Sequence, residues 1–274
     1  MQSKELLHSL NLSTFTALDF ETTGLDPNSD RIIEIAAIRF EHGEMVDRFV
    51  SLVNPCIDIP NLITEITGIS NSMVHKSPKE SEIIDDFLSF LGDSPLVAHN
   101  IRFDEQFLSR LCLRNEKEEN NFKKYDTLQL ARSLLFEQPV FNLTALSDFY
   151  GLSSDNAHRA ENDTENTGII FLELIKELAG YPLDFASKVN TLIQGTDIPN
   201  KHLFVDMANA LAKKGDLKKG LIEHGLIPNC KTNIFSYNGP NNIESLSAED
   251  VFGNSGALSK VHPNFENRPN QEKY

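Results

Sequence analysis

The chain has 274 residues, 40% hydrophobic and 24% charged, values that fit a globular protein and exclude a disordered or membrane-embedded class. No run approaches the roughly 18 apolar residues of a membrane-spanning helix, and the N-terminal MQSKELLHSLNLS lacks the apolar core of a secretion signal, so a soluble, cytoplasmic protein is expected. A net charge of −15 excludes a generally basic, phosphate-tracking surface, and three cysteines without a CxxC pair give no zinc or redox signature.

In chain order, FTALDF (Phe15 to Phe20) is an apolar run closing on acids, and RIIEIAAIRF (Arg31 to Phe40) is β-branched and largely buried in character; both read as strands. EMVDRFVSLV (Glu44 to Val53) is a third, joined through a His42-Gly43 turn, so the sheet begins as an antiparallel meander. Ser81 to Leu91 has apolar residues at helical spacing with Gly92 as its stop, and Ser94 to Ala98 is a short buried strand. Helix is expected over Arg102 to Leu113, then a solvated loop over Glu116 to Lys124 and a short strand ending at Tyr125-Asp126. Further helices are expected at about Thr127 to Phe136, Leu143 to Tyr150 and Ala160 to Leu178, the last stopped by Gly180-Tyr181-Pro182. Strands followed by alternating helices and strands predict an α/β sandwich with a mixed sheet.

Composition shifts after Pro182. Residues 1–180 hold 15 Lys+Arg against 30 Asp+Glu, whereas residues 181–274 hold 10 of each. The expected organisation is a domain over 12–180, a linker over 181–200 and a C-terminal extension over 201–274, helical from about Lys201 to His224 and rich in Asn, Gly and Pro from Pro228 on.

Chemistry enters with Asp19 and Glu21. On a strand, residues i and i+2 share a face, about 6.6 Å apart, and two like charges on an apolar strand are costly unless a cation neutralises them. A DxE pair also marks the exposed end of a strand. Asp104, however, falls in phase with Phe107, Leu108 and Leu111 on the apolar side of its helix, and Asp163 with Thr167, Ile170 and Leu174. His158 lies five residues before Asp163, on the loop entering the same helix. Four convergent carboxylates suit two hard cations, and a neutral imidazole can take a proton from water. These residue types specify phosphodiester hydrolysis.

DFETTG (Asp19 to Gly24), VAHNIRFDEQFL (Val97 to Leu108) and AHRAENDT (Ala157 to Thr164) resemble, in order and spacing, the three motifs of the DnaQ-like, histidine-bearing branch of the DEDD exonucleases. The resemblance covers about residues 12–180. It implies a ribonuclease-H-like fold with a mixed five-stranded sheet flanked by helices, two Mg²⁺ or Mn²⁺ ions, and 3′→5′ release of nucleoside monophosphates in repair or proofreading. By the same resemblance Asp19, Glu21, Asp104 and Asp163 are metal ligands and His158 the general base. The resemblance further implies that Thr22, Thr23, Gly24, Leu25, Ile66 and Thr67 contact the terminal nucleotide. Single-stranded or frayed DNA 3′ ends are the expected substrate, with RNA as the alternative and a non-catalytic nucleic-acid-binding or polymerase-docking module as the reading from another class.

VFGNSGALSKVHPNFENRPNQ (Val251 to Gln271) is similar to the opening segment of DinG-type helicases, although no GxxxxGK[ST] occurs in the sequence. That similarity implies a nuclease placed ahead of a helicase whose motor is lost or separately encoded. The partners expected are therefore a polymerase or such a helicase, and no membrane.

Overall fold

The computed structural model describes residues 3–152, 159–193 and 195–214. A helix α1 (Ser3–Ser9) precedes β1 (Thr14–Thr22), β2 (Ile32–Glu41) and β3 (Glu44–Leu52); helices α2 (Asn61–Thr67), α3 (Asn71–Val74) and α4 (Glu80–Leu91) lead to β4 (Leu96–Ala98). Then come α5 (Ile101–Arg114), β5 (Lys124–Asp126), α6 (Thr127–Leu134), α7 (Leu143–Phe149), α8 (Ala160–Gly180), α9 (Leu183–Ile193) and α10 (Lys201–Lys214). None of these helices is long and apolar enough to cross a membrane.

The five strands form one mixed sheet in the order β3-β2-β1-β4-β5. The first three make the antiparallel meander, whose β2–β3 turn places His42 and Gly43 at φ 52° and 86°, the left-handed pair that suits a two-residue hairpin. The parallel strands β4 and β5 follow across α5. Strand β1 is central, and its alternate residues feed two cores. Phe15 and Ala17 pack with Ile170, Phe171 and Leu174 of α8, in a layer that also takes Leu203, Phe204 and Met207 of α10. Leu18 and Phe20 pack with Ile84 and Phe87 of α4 and Phe107, Leu108 and Leu111 of α5.

This is the ribonuclease-H-like arrangement expected from the motifs, and two of its features place the site. First, Asp19 and Glu21 continue the α8-facing series of Phe15 and Ala17. Second, the β1–β4 ladder ends at Ala17 and Val97, so β1 runs beyond its parallel neighbour and exposes an open edge.

Among the described residues, α1, α2, α3 and α9 are additions to the elements read from sequence. The first three have seven, seven and four residues, too few turns for a 3.6-residue period to register. Helix α9 lies within the stretch read as a linker, and only Ala186 of it is buried. Of the helix expected over Lys201 to His224, Lys201–Lys214 is seen; the remainder, and the 251–271 segment, lie outside the described residues.

Candidate active site

At the end of β1, Asp19 and Glu21 are half-buried on the face toward α8. Asp163, in the first turn of α8, joins them: one carboxylate oxygen from each of Asp19, Glu21 and Asp163 lies within 4.8 Å of the others. A β-irregularity between Glu21 and Thr22 shifts the β1–β2 register, so that Glu21 pairs with Glu34 and Thr22 with Ile32. Such a bulge re-aims a side chain where a strand ends.

Asp104 arrives from α5 and is 2% exposed. Its Oδ1 accepts the Phe20 amide at 3.1 Å; Phe20 lies past the last β4 partner of β1, so the carboxylate takes the place of the missing strand. The α5 start that delivers it is held in turn. Asn100 adopts the left-handed conformation at φ 71°, which Asn tolerates, and its amide donates to Asp126 Oδ1 at 3.1 Å.

The electrostatics are those of acids forced together. Burial raises Asp19 well above the usual carboxylate range, and Asp104, Glu21, Asp163 and Glu34 raise it further. Glu21 is pushed up to about 8, chiefly by burial, then by Asp163 and Glu34, against the opposing pull of Arg159. Burial raises Asp104 as well, resisted by the amides of Phe20 and of Asp104 itself. Crowded, buried acids of this kind disfavour their charged forms unless a cation neutralises them, so the donor set fits a hard, oxygen-seeking divalent metal.

A family model of exonucleases matches residues 16–171. The chain belongs to that exonuclease family. Among curated relatives, the 3′-5′ exonuclease DinG of Bacillus subtilis is 31% identical over 96% of this chain. The PolC-type DNA polymerase III of Thermotoga maritima is 37% identical over 74% of it. The chain spans only 28% of the first and 15% of the second. Escherichia coli Exonuclease I, solved with a dA16 oligonucleotide, shares the fold at 22% identity and a TM-score of 0.54, over 65% of this chain and 44% of that one.

As an exonuclease-family member the chain places its remaining motif residues unevenly. His158 lies outside the described residues. Thr22 and Thr23 are buried, and their hydroxyls serve the loop: Thr22 donates to the Gly24 carbonyl at 2.6 Å, and Thr23 donates to Asp30 at 3.0 Å while accepting the Arg31 amide. Asp30 lies where a Cβ on Gly24 would stand, which accounts for glycine there. Thr67 is likewise engaged, donating to the Ile63 carbonyl and accepting the Ile69 amide. Leu25 and Ile66, by contrast, are 83% and 48% exposed apolar side chains.

Two residues that shape the site, Glu34 and Arg159, have no role in the motif reading. Glu34 is 1% exposed, yet it accepts Arg159 Nε at 3.2 Å, Arg159 Nη2 at 2.6 Å and the Ala160 amide at 3.1 Å. This bidentate pair anchors the N-terminus of α8, and so the turn that carries Asp163. A lone glutamate inside the run RIIEIAAIRF is the available signal: a charge on a strand buried on both faces requires a partner.

Proposed function

We propose that this chain is a metal-dependent 3′→5′ exonuclease releasing nucleoside monophosphates from single-stranded or frayed DNA 3′ ends. The observation that carries the reading is the convergence of Asp19, Glu21 and Asp163 oxygens within 4.8 Å, beside the buried Asp104. Those four acids are assigned to hold Mg²⁺ or Mn²⁺. When bound, two such ions stabilise the charge that develops on the phosphate and on the departing oxygen. His158, one residue before the anchored Arg159, is assigned to accept the proton of the attacking water. A bond forms from that oxygen to phosphorus, and the bond from phosphorus to the 3′ oxygen of the preceding nucleotide breaks, leaving a new 3′ hydroxyl and a 5′-monophosphate.

The turn-internal bonding of Thr22, Thr23 and Thr67 supports a seat for the terminal nucleotide built from rigid backbone, in which Gly24 makes room for the Asp30 carboxylate that ties the loop. Leu25 and Ile66 offer apolar surface to its base and sugar. The likeness to a DinG exonuclease and to PolC-type polymerases supports a repair or proofreading setting, with a polymerase or a helicase as partner.

The test is a 5′-labelled oligonucleotide, as DNA and as RNA, incubated with Mg²⁺, Mn²⁺ or chelator. Stepwise shortening from the 3′ end is expected, abolished by chelator and reduced about a thousandfold or more in Asp104→Ala, the scale of losing a principal electrostatic element of a site. Binding without shortening would replace the enzyme by a nucleic-acid-binding module, and faster RNA than DNA shortening would reassign the substrate.

A further inference from the structure

On an acidic chain a polyanion has few places to rest. A cavity of about 520 Å³ opens at the β5 edge of the sheet, between the first turns of α5 and α10. Arg102, Lys123, Lys124, Lys201 and His202 line it against the two acids Glu105 and Asp197. Glu105 is already paired with Lys124 at 2.5 Å, and Lys124 also approaches Glu119 at 3.8 Å. Among the described residues no carboxylate lies within ion-pair distance of Arg102, Lys123 or Lys201, and Arg102 and Lys123 are solvent-exposed.

Helix electrostatics sharpen the point. The first turn of a helix carries partial positive charge and stabilises acids, not cations. Helix α10 nevertheless opens on Lys201 and His202 with no acidic residue in its first turn. Cations placed there cost stability, and gathered at one cavity they make a local field suited to phosphate.

We propose that this cavity binds the phosphodiester backbone of the strand whose 3′ end lies at the Asp19, Glu21, Asp104 and Asp163 cluster, a reading that rests on the exonuclease assignment above. Position agrees with it. Asp104 faces β1 through the Phe20 amide, whereas Glu105, the next residue, faces β5 through Lys124. Helix α5 therefore carries a member of the acid cluster and a wall of the cavity on adjacent residues.

The test compares wild type with Lys123→Glu/Lys201→Glu and with the charge-conserving Lys123→Arg/Lys201→Arg, binding a fluorescent single-stranded oligonucleotide in chelator across a salt series. The Glu pair is expected to bind roughly tenfold more weakly at low salt, with the slope of log affinity against log salt shallower by about 0.7 for each phosphate left without its cation. The Arg pair should bind as wild type does. Melting temperature should hold or rise in the Glu pair, since an acid suits the start of α10. An Arg pair that keeps its melting temperature but binds as weakly as the Glu pair overturns the proposal, because the cations would then serve something other than charge. In the cleavage assay the Glu pair should raise KM more for a long oligonucleotide than for a dinucleotide. Unchanged affinity and slope overturn the proposal whatever cleavage shows. Weakened binding in a protein that cleaves nothing would instead retain the cavity as a strand-binding site and remove the exonuclease reading.

Discussion

Glu21 shows how the acid cluster ties stability to metal. Its carboxyl titrates at about 8 in the fold, against an ordinary value of 4.5. Between those values the folded protein holds a proton that the unfolded chain releases, so stability falls as pH rises through the window, and the penalty is complete above it. In chelator, the melting temperature is expected to decline across this range. Adding Mg²⁺ or Mn²⁺ should raise it most at the alkaline end, where the carboxylates are free to bind, and Glu21→Gln should flatten part of the decline. Melting curves at several pH values, with and without metal, check this; a metal effect independent of pH would count against competition between metal and the Glu21 proton. Glu34 and Arg159 act one step further out, through the position of α8. Glu34→Gln keeps the shape of the side chain and removes the charge that holds Arg159. It is expected to lower turnover or metal affinity about 10–100-fold, as loss of outer support for ligands does. Metal titrations of activity measure it, and an unchanged metal midpoint with unchanged turnover would confine the pair to a folding role.

Helix α8 carries Asp163 only because it can approach the sheet closely. A Cβ on Gly168 would overlap the ring of Phe40, and Phe40 is stacked on Phe15 at 4.8 Å, which in turn meets Phe171 edge-on at 5.3 Å. Rings packed this way leave little room for a methyl group. Gly168→Ala is expected to cost about 1–3 kcal/mol, the usual penalty of overpacking, and to depress activity by shifting Asp163; thermal unfolding and the cleavage assay read the two effects. The same elements show how far local pattern reaches. Strands β1 to β3 and helices α4, α5 and α8 are legible in the sequence to within a few residues because each has a long enough apolar period, and the seven-residue α7 is legible through its glycine stop. Gly92, for example, ends α4 with its amide on the Leu88 carbonyl, and Gly151 follows α7 at φ 68°. The period also places Asp104 on the buried side of α5, which is where it lies. Helices α1 and α9 are not legible, since their few buried residues acquire meaning only against the core they dock on.

Beyond the motif region, Asn200 joins the following segment to the sheet. It is 1% exposed; its Oδ1 accepts the Asp126 amide at 2.9 Å, and its Nδ2 donates to the Asp126 carbonyl at 2.9 Å and to Gln129 Oε1 at 3.1 Å. One side chain thus pairs the outer edge of β5 as a neighbouring strand would. Asn200→Ala is expected to destabilise the protein by about 1–3 kcal/mol, through buried peptide groups left without partners, and chemical denaturation would show it as a lowered midpoint. Apolar periods and three spaced motifs, both properties of neighbouring residues, are sufficient to read off the α/β class, the succession of the strands and the acids that converge. The pairing of Glu34 with Arg159 across 125 positions, the upward shift of the Asp19 and Glu21 carboxyls, and the cationic cavity beside β5 arise only from folding. They depend on strand register, on exclusion of water and on helix ends brought together from distant parts of the chain, and no local spacing of residues encodes those.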